Sequence, residues 1–340
     1  MKPLDPLDLT RRLVDIESLT YNEGAVGAYL DALLRERGFA VERTAVAQPA
    51  QSRFTGERFN VYGGTGGRPD VVLSTHMDTV PPFIPSSEDD LFLYGRGACD
   101  AKGIIAAQVA AAERLREAGV AVALLFVVGE ERDSAGARVA NLHAKGSRFL
   151  INGEPTDNRL ALASKGALRA EIRALGTMAH SAYPELGDSA VHKLVQALHR
   201  LLAVELPSVE GIGPSTLNVG VIDGGRAPNV IADAANAQVL VRLVGPSEPT
   251  RKAIEEAVAG LAEVEFTLEI PFIRMRRVEG LETMVAAFTT DIPALTNWGE
   301  PLLLGPGSIH VAHTSFEKIA KGELLRAVDL YFDVACRLAG

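Results

Sequence analysis

Short continuous apolar runs alternate with longer segments of helical spacing in the first half of the chain. The runs predict buried strands because they are brief and end in turn residues; they are DVVLST, VAVALLFVVG and RFLING. Two further segments, FAVERTAV and RFNVYGG, alternate apolar and polar residues as half-buried strands do. Helical spacing covers residues 6–37, 102–118 and 135–144. This succession predicts a layered α/β domain.

The pattern changes beyond Ser164. Its elements are the strand ALRAEIRAL, the helix DSAVHKLVQALHRLLAV, the strands STLNVGVIDGG and AANAQVLVRLVG, the helix SEPTRKAIEEAVAGLA and the strand EVEFTLEI. The order βαββαβ is typical of a ferredoxin-like α+β sandwich. We therefore predict an inserted domain at residues 165–274, and a first domain formed by residues 1–164 and 275–340.

Composition limits the classes of protein to consider. The chain has 340 residues, of which 47% are hydrophobic and 23% charged, as in ordinary globular proteins. Its net charge of -9 argues against nucleic acid as a partner, because nucleic-acid recognition needs clustered Lys and Arg. We also expect no membrane span, since the apolar runs are too short to cross a bilayer.

The two cysteines, Cys99 and Cys336, are too few for a disulfide framework and favour a reducing compartment. The opening segment MKPLDPLDLTRRLVDIES mixes acids and bases and lacks the apolar stretch of a signal peptide. A cytoplasmic location is therefore expected.

Potential metal ligands follow the predicted strands. They are His76, Asp100, Glu130, Glu131 and Glu154, with His313 near the C-terminal end. Ligands of α/β sheets gather at the carboxyl ends of the strands, and zinc binds imidazole nitrogen and carboxylate oxygen. Taken singly, such a carboxylate could be a helix cap and such a histidine a hydrogen-bonded core residue. Together they predict a hydrolase with two metal ions.

One residue outside this set could orient a candidate ligand. Asp78 comes two residues after His76, where its carboxylate could accept the second ring N–H and fix the tautomer of the imidazole.

Seven ordered motifs carry a resemblance that spans nearly the whole chain. They are STHMDTVP, LYGRGACDAKG, GEE, GEPT, GTMAHSAYPELG, APNVIAD and GPGSIHVAHTSFEK. The set resembles the M20 family of metallopeptidases and deacylases, and most of all the branch with acetylornithine deacetylase, acetyl-lysine deacetylase and succinyl-diaminopimelate desuccinylase. The resemblance implies a zinc-peptidase-like layered α/β catalytic domain with an inserted ferredoxin-like dimerisation, or lid, domain.

The resemblance also implies a ligand set of two Zn²⁺ per subunit, with Co²⁺ or Mn²⁺ as possible substitutes. One zinc would be held by His76 and Glu154, the other by Glu131 and His313, and Asp100 would bridge the two.

By the same resemblance, Glu130 is the general base. It would take a proton from a metal-bridging water, the hydroxide would attack the amide carbonyl, and Glu130 would then protonate the leaving amine. Asp78 would belong to the catalytic group. His180 would assist at the active site of the opposite subunit, which implies a homodimer formed through the inserted domain.

Asn229 and Arg242 match family positions that contact the carboxylate end of the substrate. Three residues depart from the family pattern or add to it. Gly129 stands where the family usually has Asp, and Leu240 replaces an acid two residues before Arg242. His310 is an additional imidazole, although the AHT motif favours His313 as the ligand.

The expected function is hydrolysis of the amide bond of an N-acyl amino acid, as in a deacetylase or desuccinylase. A dipeptidase or carboxypeptidase acting on a short peptide is the first alternative. A catalytically silent metal- or peptide-binding protein is the second, and retention of Glu130 argues against it because a binding module needs no base.

Overall fold

The chain folds into two compact units in a computed structural model that describes residues 2–340. The first unit comprises the residues up to Leu162 together with Met275–Met284 and Thr290–Gly340. The second comprises Ala163–Arg274 and Val285–Thr289. Among residues 2–340, no helix combines the length and the apolar character that a membrane span requires.

Helices and strands are mixed along both units. The helices are α1 (Pro6–Val14), α2 (Gly24–Glu36), α3 (Lys102–Glu117), α4 (Ala135–Leu142), α5 (Ala190–Leu202), α6 (Glu248–Val258) and α7 (Lys321–Ala339), with short 3₁₀ turns at Pro184–Leu186 and Ile292–Ala294. The first nine strands are β1 (Ala40–Ala45), β2 (Phe59–Gly64), β3 (Val71–His76), β4 (Ser87–Glu88), β5 (Phe92–Tyr94), β6 (Val122–Val127), β7 (Phe149–Asn152), β8 (Leu160–Ser164) and β9 (Gly166–Leu175). The others are β10 (Ser208–Val209), β11 (Gly213–Pro214), β12 (Thr216–Gly224), β13 (Ala234–Leu243), β14 (Glu263–Ile270), β15 (Ile273–Arg274), β16 (Thr283–Ala286), β17 (Glu300–Leu303) and β18 (Lys318–Ala320).

A six-stranded sheet forms the centre of the first unit, in the order β1-β2-β6-β3-β7-β17. Strand β3 runs parallel to β6 and β7, and β17 runs parallel to β7, whereas β1 and β2 are antiparallel additions at one edge. All residues of β3, β6 and β7 are buried, as expected for strands covered on both faces.

The alternation of side chains along the strands divides the core of this unit into two layers. Val71 and Leu73 pack in a cluster with apolar residues of α1, α2, α3 and α7. Val72, between them, belongs to a second cluster that contains residues of α4 and Trp298. Because successive strand residues face opposite sides, the sheet is covered by helices on both faces. The predicted layered α/β arrangement is confirmed.

The prediction of one opening helix over residues 6–37 is wrong. The structure has two helices there, α1 and α2, because the intervening segment runs beside the end of β3. Leu19 forms a bridge with Thr79, the Thr79 N–H donates to the Ser18 carbonyl, and Tyr21 adopts a φ of 78°. Apolar spacing alone did not reveal these tertiary hydrogen bonds.

The second unit is a four-stranded antiparallel sheet in the order β12-β13-β9-β14, with α5 and α6 packed on one face. Burial alternates along β13 and along most of β9, so one face forms the core with the two helices and the other is exposed. The predicted ferredoxin-like sandwich is confirmed. Residues 285–289, which the sequence placed outside this region, join it through the Lys165 N–H to the Ala286 carbonyl and the Ser164 hydroxyl to the Phe288 carbonyl.

Candidate metal centre

The parallel strands of the first unit end at one edge of the sheet, where the potential ligands lie. His76 is the last residue of β3, Glu131 follows β6 in the loop before α4, and Glu154 comes two residues after β7. Asp100 precedes α3, and His313 lies in the segment between β17 and β18. Parallel strands therefore bring together residues that are far apart in the sequence.

These side chains form two overlapping clusters with the spacing of metal ligands. One ligand atom from each of His76, Asp100 and Glu154 lies within 4.8 Å of the others, and the same holds for Asp100, Glu131 and His313. The two oxygens of Asp100 each face one imidazole: Oδ1 is 2.9 Å from Nε2 of His76, and Oδ2 is 3.3 Å from Nε2 of His313. Asp100 is thus shared by both clusters.

His76 is oriented by a main-chain group. Its Nδ1 lies 2.9 Å from the carbonyl oxygen of Asp78, whereas the Asp78 carboxylate is 3.6 Å away. The carbonyl accepts the Nδ1 proton, which leaves the lone pair of Nε2 available to a metal ion. The tautomer expected from the sequence is therefore supported, but the acceptor is the backbone of Asp78 and not its side chain.

The Asp78 carboxylate instead holds the loop that carries the two adjacent glutamates. It accepts hydrogen bonds from the backbone N–H groups of Gly129 at 2.9 Å, Glu130 at 3.1 Å and Glu131 at 3.2 Å, and from the hydroxyl of Thr20 at 2.9 Å. Asp78 is therefore a positioning residue for this loop. Gly129 suits the turn because its φ is +82° and a Cβ would lie 2.5 Å from an Arg58 guanidinium nitrogen.

The side chain of Glu130, unlike that of Glu131, takes part in no hydrogen bond within the described residues. Within residues 2–340 its carboxylate has no hydrogen-bond partner, while that of Glu131 lies 3.0 Å from Nε2 of His313. Desolvation raises the pKa of Glu130 well above its ordinary value, and the charges of Glu154 and Asp291 add to this. A carboxylate in this setting has the proton affinity that a general base needs.

Comparison with known proteins gives the family. The sequence profile of the peptidase dimerisation domain of M20 enzymes matches residues 162–267. A peptidase M20 domain-containing protein of Schizosaccharomyces pombe is 36% identical over 338 residues, which cover 96% of this chain and 82% of that protein. The chain belongs to the M20 peptidase family. It is a hydrolase, and peptidases of this family are metal-dependent.

Two further comparisons extend the M20 assignment. A probable carboxypeptidase of Paracoccidioides brasiliensis is 38% identical over 368 residues, covering 96% of this chain and 83% of that one. The crystal structure of a tripeptidase from Staphylococcus aureus superposes with a TM-score of 0.81 at 21% identity, covering 99% of each chain. At that identity the second likeness shows the fold alone.

The residues at this edge of the M20 fold are suited to hold cations. Oε1 of Glu154 is buried without a hydrogen-bond partner among residues 2–340, and desolvation raises the pKa of both Glu131 and Glu154. Hydrogen bonds to Asp100 and Glu131 raise the pKa of His313 to about 10. The carboxylates bring negative charge together in a poorly solvated region, where divalent cations would compensate it. Carboxylate oxygens and imidazole nitrogens are suitable ligands for such cations.

His310 does not belong to either cluster. It is exposed, and its side chain has no hydrogen-bond partner in the part of the chain that the structure describes. Among the two imidazoles of this segment, His313 alone faces the carboxylates.

Three other candidates from the sequence lie in the second unit. His180 is exposed, and its Nδ1 accepts the Ala182 N–H at 3.1 Å, so Nε2 is left to carry the proton. The backbone of the next residue pairs with Asn229, through the Ser181 N–H to the Asn229 carbonyl at 3.0 Å. His180 and Asn229 are therefore on neighbouring segments.

Arg242 lies on β13 between Thr216 and Ala167 of the adjacent strands, and it is partly buried. Across residues 2–340, no carboxylate lies within ion-pair distance of its guanidinium. Burial alone lowers its pKa. The replacement of the usual acid by Leu240 thus coincides with a guanidinium that has no carboxylate partner in its own unit.

Asp291 is a residue of this region that the sequence did not single out. It is 1% exposed, and neither carboxylate oxygen has a hydrogen-bond partner within the described residues. Its charge raises the pKa values of Glu130 and Glu154, which places it within electrostatic range of both. The segment TTDIP gave no signal of this, because it follows no predicted strand.

Substitution of Asp291 tests the cost of this buried charge. Desolvation raises the pKa of Asp291 from 3.8 to about 6. The folded state thus binds the proton of the Asp291 carboxyl group more tightly than the unfolded state. The free energy of unfolding therefore falls as the pH rises from 3.8 to about 6, and it stays lower above that range. We expect Asp291→Asn to raise the stability of the metal-free protein at pH 7 by about 1–3 kcal/mol.

Urea unfolding of chelator-treated protein at pH 5 and pH 7 measures this effect. The gain should be smaller at the lower pH, where the wild-type carboxyl group is mostly protonated. A variant that is less stable than the wild type at pH 7 would contradict the account.

Proposed function

We propose that this M20 enzyme binds two divalent metal ions, Zn²⁺ in the first instance with Co²⁺ or Mn²⁺ as substitutes, and hydrolyses the amide bond of an N-acyl amino acid. The observation that supports the two ions is the position of Asp100, whose two oxygens face His76 and His313 in two clusters of three ligands. His76 and Glu154 would complete one site, and Glu131 and His313 the other.

The bound ions would lower the pKa of a water molecule and stabilise negative charge on the carbonyl oxygen of the substrate. Glu130 is proposed as the general base because its neighbours are engaged and it is not. It would accept the proton of the attacking water on its carboxylate and return it to the leaving nitrogen. Its proton affinity, raised by burial, suits both steps.

We propose that the enzyme recognises its substrate by a free carboxylate next to the cleaved amide. A guanidinium binds a carboxylate through two parallel hydrogen bonds, and Arg242 is partly buried without an acidic partner within residues 2–340. We assign this carboxylate to Arg242, with Asn229 as a second contact. The other side of the amide would carry a small acyl group such as acetyl or succinyl.

The relatives favour a second candidate, in which the acyl group is itself a peptide. The Paracoccidioides brasiliensis protein, 38% identical, bears the name of a probable carboxypeptidase. A carboxypeptidase also cleaves an amide beside a free carboxylate, so the two candidates share the metal centre, Glu130 and Arg242. They differ only in what lies on the acyl side.

A substrate panel distinguishes these candidates. Metal-loaded protein would be assayed on N-acetyl amino acids, N-succinyl amino acids, dipeptides and peptides with blocked N-termini. We expect hydrolysis of the acyl amino acids, its loss with a chelator and its return with Zn²⁺. Hydrolysis of peptides alone would select the carboxypeptidase or dipeptidase, and metal binding with no hydrolysis of any member would contradict both.

Glu130→Gln is the matched variant for this panel. It should keep both metal ions but lose at least about 100-fold in kcat, because the amide cannot accept the proton. Glu117→Gln, at an exposed position at the end of α3, controls for the loss of one acidic charge. Unchanged turnover in Glu130→Gln would eliminate this residue as the base.

We further propose that the enzyme is a homodimer through the inserted domain and that His180 acts at the metal centre of the opposite subunit. The match to a dimerisation domain at residues 162–267 and the free Nε2 of His180 support this. Mixing inactive His180→Ala and Glu130→Gln proteins should restore activity, because one of the two sites in each hybrid dimer would be complete. Absence of any recovery after subunit exchange would refute the shared site.

A further inference from the structure

A buried carboxylate near the metal centre is used by none of the roles described above. Glu317 is 2% exposed and lies four residues after His313. Its Oε1 accepts hydrogen bonds from the backbone N–H groups of Gly97 at 2.9 Å, Cys99 at 3.3 Å and Asp100 at 3.2 Å. One side-chain oxygen therefore holds three donors of the loop that ends in the shared ligand.

Within the described residues, none of these three N–H groups donates to a backbone carbonyl. Gly97 has a φ of +87°, and a Cβ at this position would lie 2.9 Å from atoms of Lys102 and Thr79. The segment 95–101 belongs to neither a helix nor a strand, and buried N–H groups without an acceptor are costly. The Glu317 carboxylate satisfies them and thereby sets the path of the chain into Asp100.

Arg96 fixes the other end of the same carboxylate. Its Nη1 lies 2.5 Å from Oε2 of Glu317, and both side chains are almost completely buried. The Arg96 Nε also donates to the Pro82 carbonyl at 3.3 Å, and its backbone N–H donates to the Ile84 carbonyl at 2.9 Å. The guanidinium is therefore tied to a third segment and keeps Glu317 in one orientation.

The contact also fixes the segment that contains His313. The Gly95 N–H donates to the Glu317 carbonyl at 3.1 Å, and β18 begins at the next residue and pairs with β5. Between this anchor and His313 there are only three residues. Glu317 thus joins the loop of Asp100 to the segment of His313.

We propose that Glu317, held by Arg96, is a positioning residue that sets Asp100 and His313 relative to each other and so determines the affinity of both metal sites. This inference rests on the proposed function only in taking Asp100 and His313 as ligands. Because Asp100 is common to the two clusters, displacement of its backbone weakens both sites together. A pair that merely stabilised the fold would change the unfolding free energy without changing the affinity of folded protein for metal.

The test is the affinity for Zn²⁺, measured by competition with a chelator of known affinity, in wild type and Glu317→Gln. The amide can still accept from the loop but leaves Arg96 without its anionic partner, so the side chain reorients. We expect affinity to fall about 10–100-fold at both sites, the range typical for partners that orient metal ligands. Wild-type affinity in folded Glu317→Gln would overturn the proposal.

Glu113→Gln is the matched control. Glu113 pairs with Arg37 at 3.1 Å in the same unit, is also largely buried, and accepts its other hydrogen bond from the Leu4 N–H, outside the ligand loops. Its loss should lower the unfolding free energy while metal affinity stays within about 3-fold of wild type, because the partners that orient the ligands are intact. An equal loss of affinity in Glu113→Gln and Glu317→Gln would make the effect one of general stability and would also overturn the proposal.

If Glu317→Gln does not fold, the Zn²⁺ affinity of Arg96→Lys tests the proposal instead. Lysine keeps the positive charge beside Glu317 but cannot bind both the carboxylate and the Pro82 carbonyl in the same way. A smaller loss of Zn²⁺ affinity in the same direction supports the proposal, and wild-type affinity overturns it. Substrate hydrolysis is measured separately, so a wild type that binds two ions but cleaves nothing refutes the proposed function and not this inference.

Discussion

Negative charge buried at one edge of a parallel sheet is the constraint on which the rest of this structure depends. Asp78, Asp100, Glu154 and Asp291 are each at most 5% exposed, and Glu130 and Glu131 lie beside them. Buried carboxylates are costly unless cations or hydrogen bonds compensate them. The loops, the glycines and the hydrogen bonds around this edge can be understood as the means of holding these groups together.

Two buried carboxylates of the first unit, Asp78 and Glu317, accept hydrogen bonds from backbone N–H groups. Asp78 accepts the N–H groups of the loop with Glu130 and Glu131, and Glu317 accepts those of the loop that ends at Asp100. In each loop, three backbone donors converge on one side chain from a distant part of the sequence. The positions of the candidate ligands are therefore set by tertiary contacts and not by local secondary structure.

The sequence predicted the features that depend on local pattern. Continuous apolar runs located β3, β6 and β7. The chemistry of His76 and Glu154 and their position at the ends of these runs indicated them as candidate ligands. Features that depend on partners far along the chain were not predicted. The break between α1 and α2, the main-chain acceptor of His76, and the positions of Asp291 and Glu317 all arise from contacts between distant segments, which periodicity does not encode.

If Asp100 is shared by two metal ions, the number of ions bound and their dependence on Asp100 will show it. Protein freed of metal by a chelator would be titrated with Zn²⁺ in a calorimeter, for the wild type and for Asp100→Asn, with metal content confirmed by elemental analysis. We expect two ions per chain in the wild type and weakening of both binding steps in the variant. A single ion in the wild type, or loss of only one step in Asp100→Asn, would contradict this expectation.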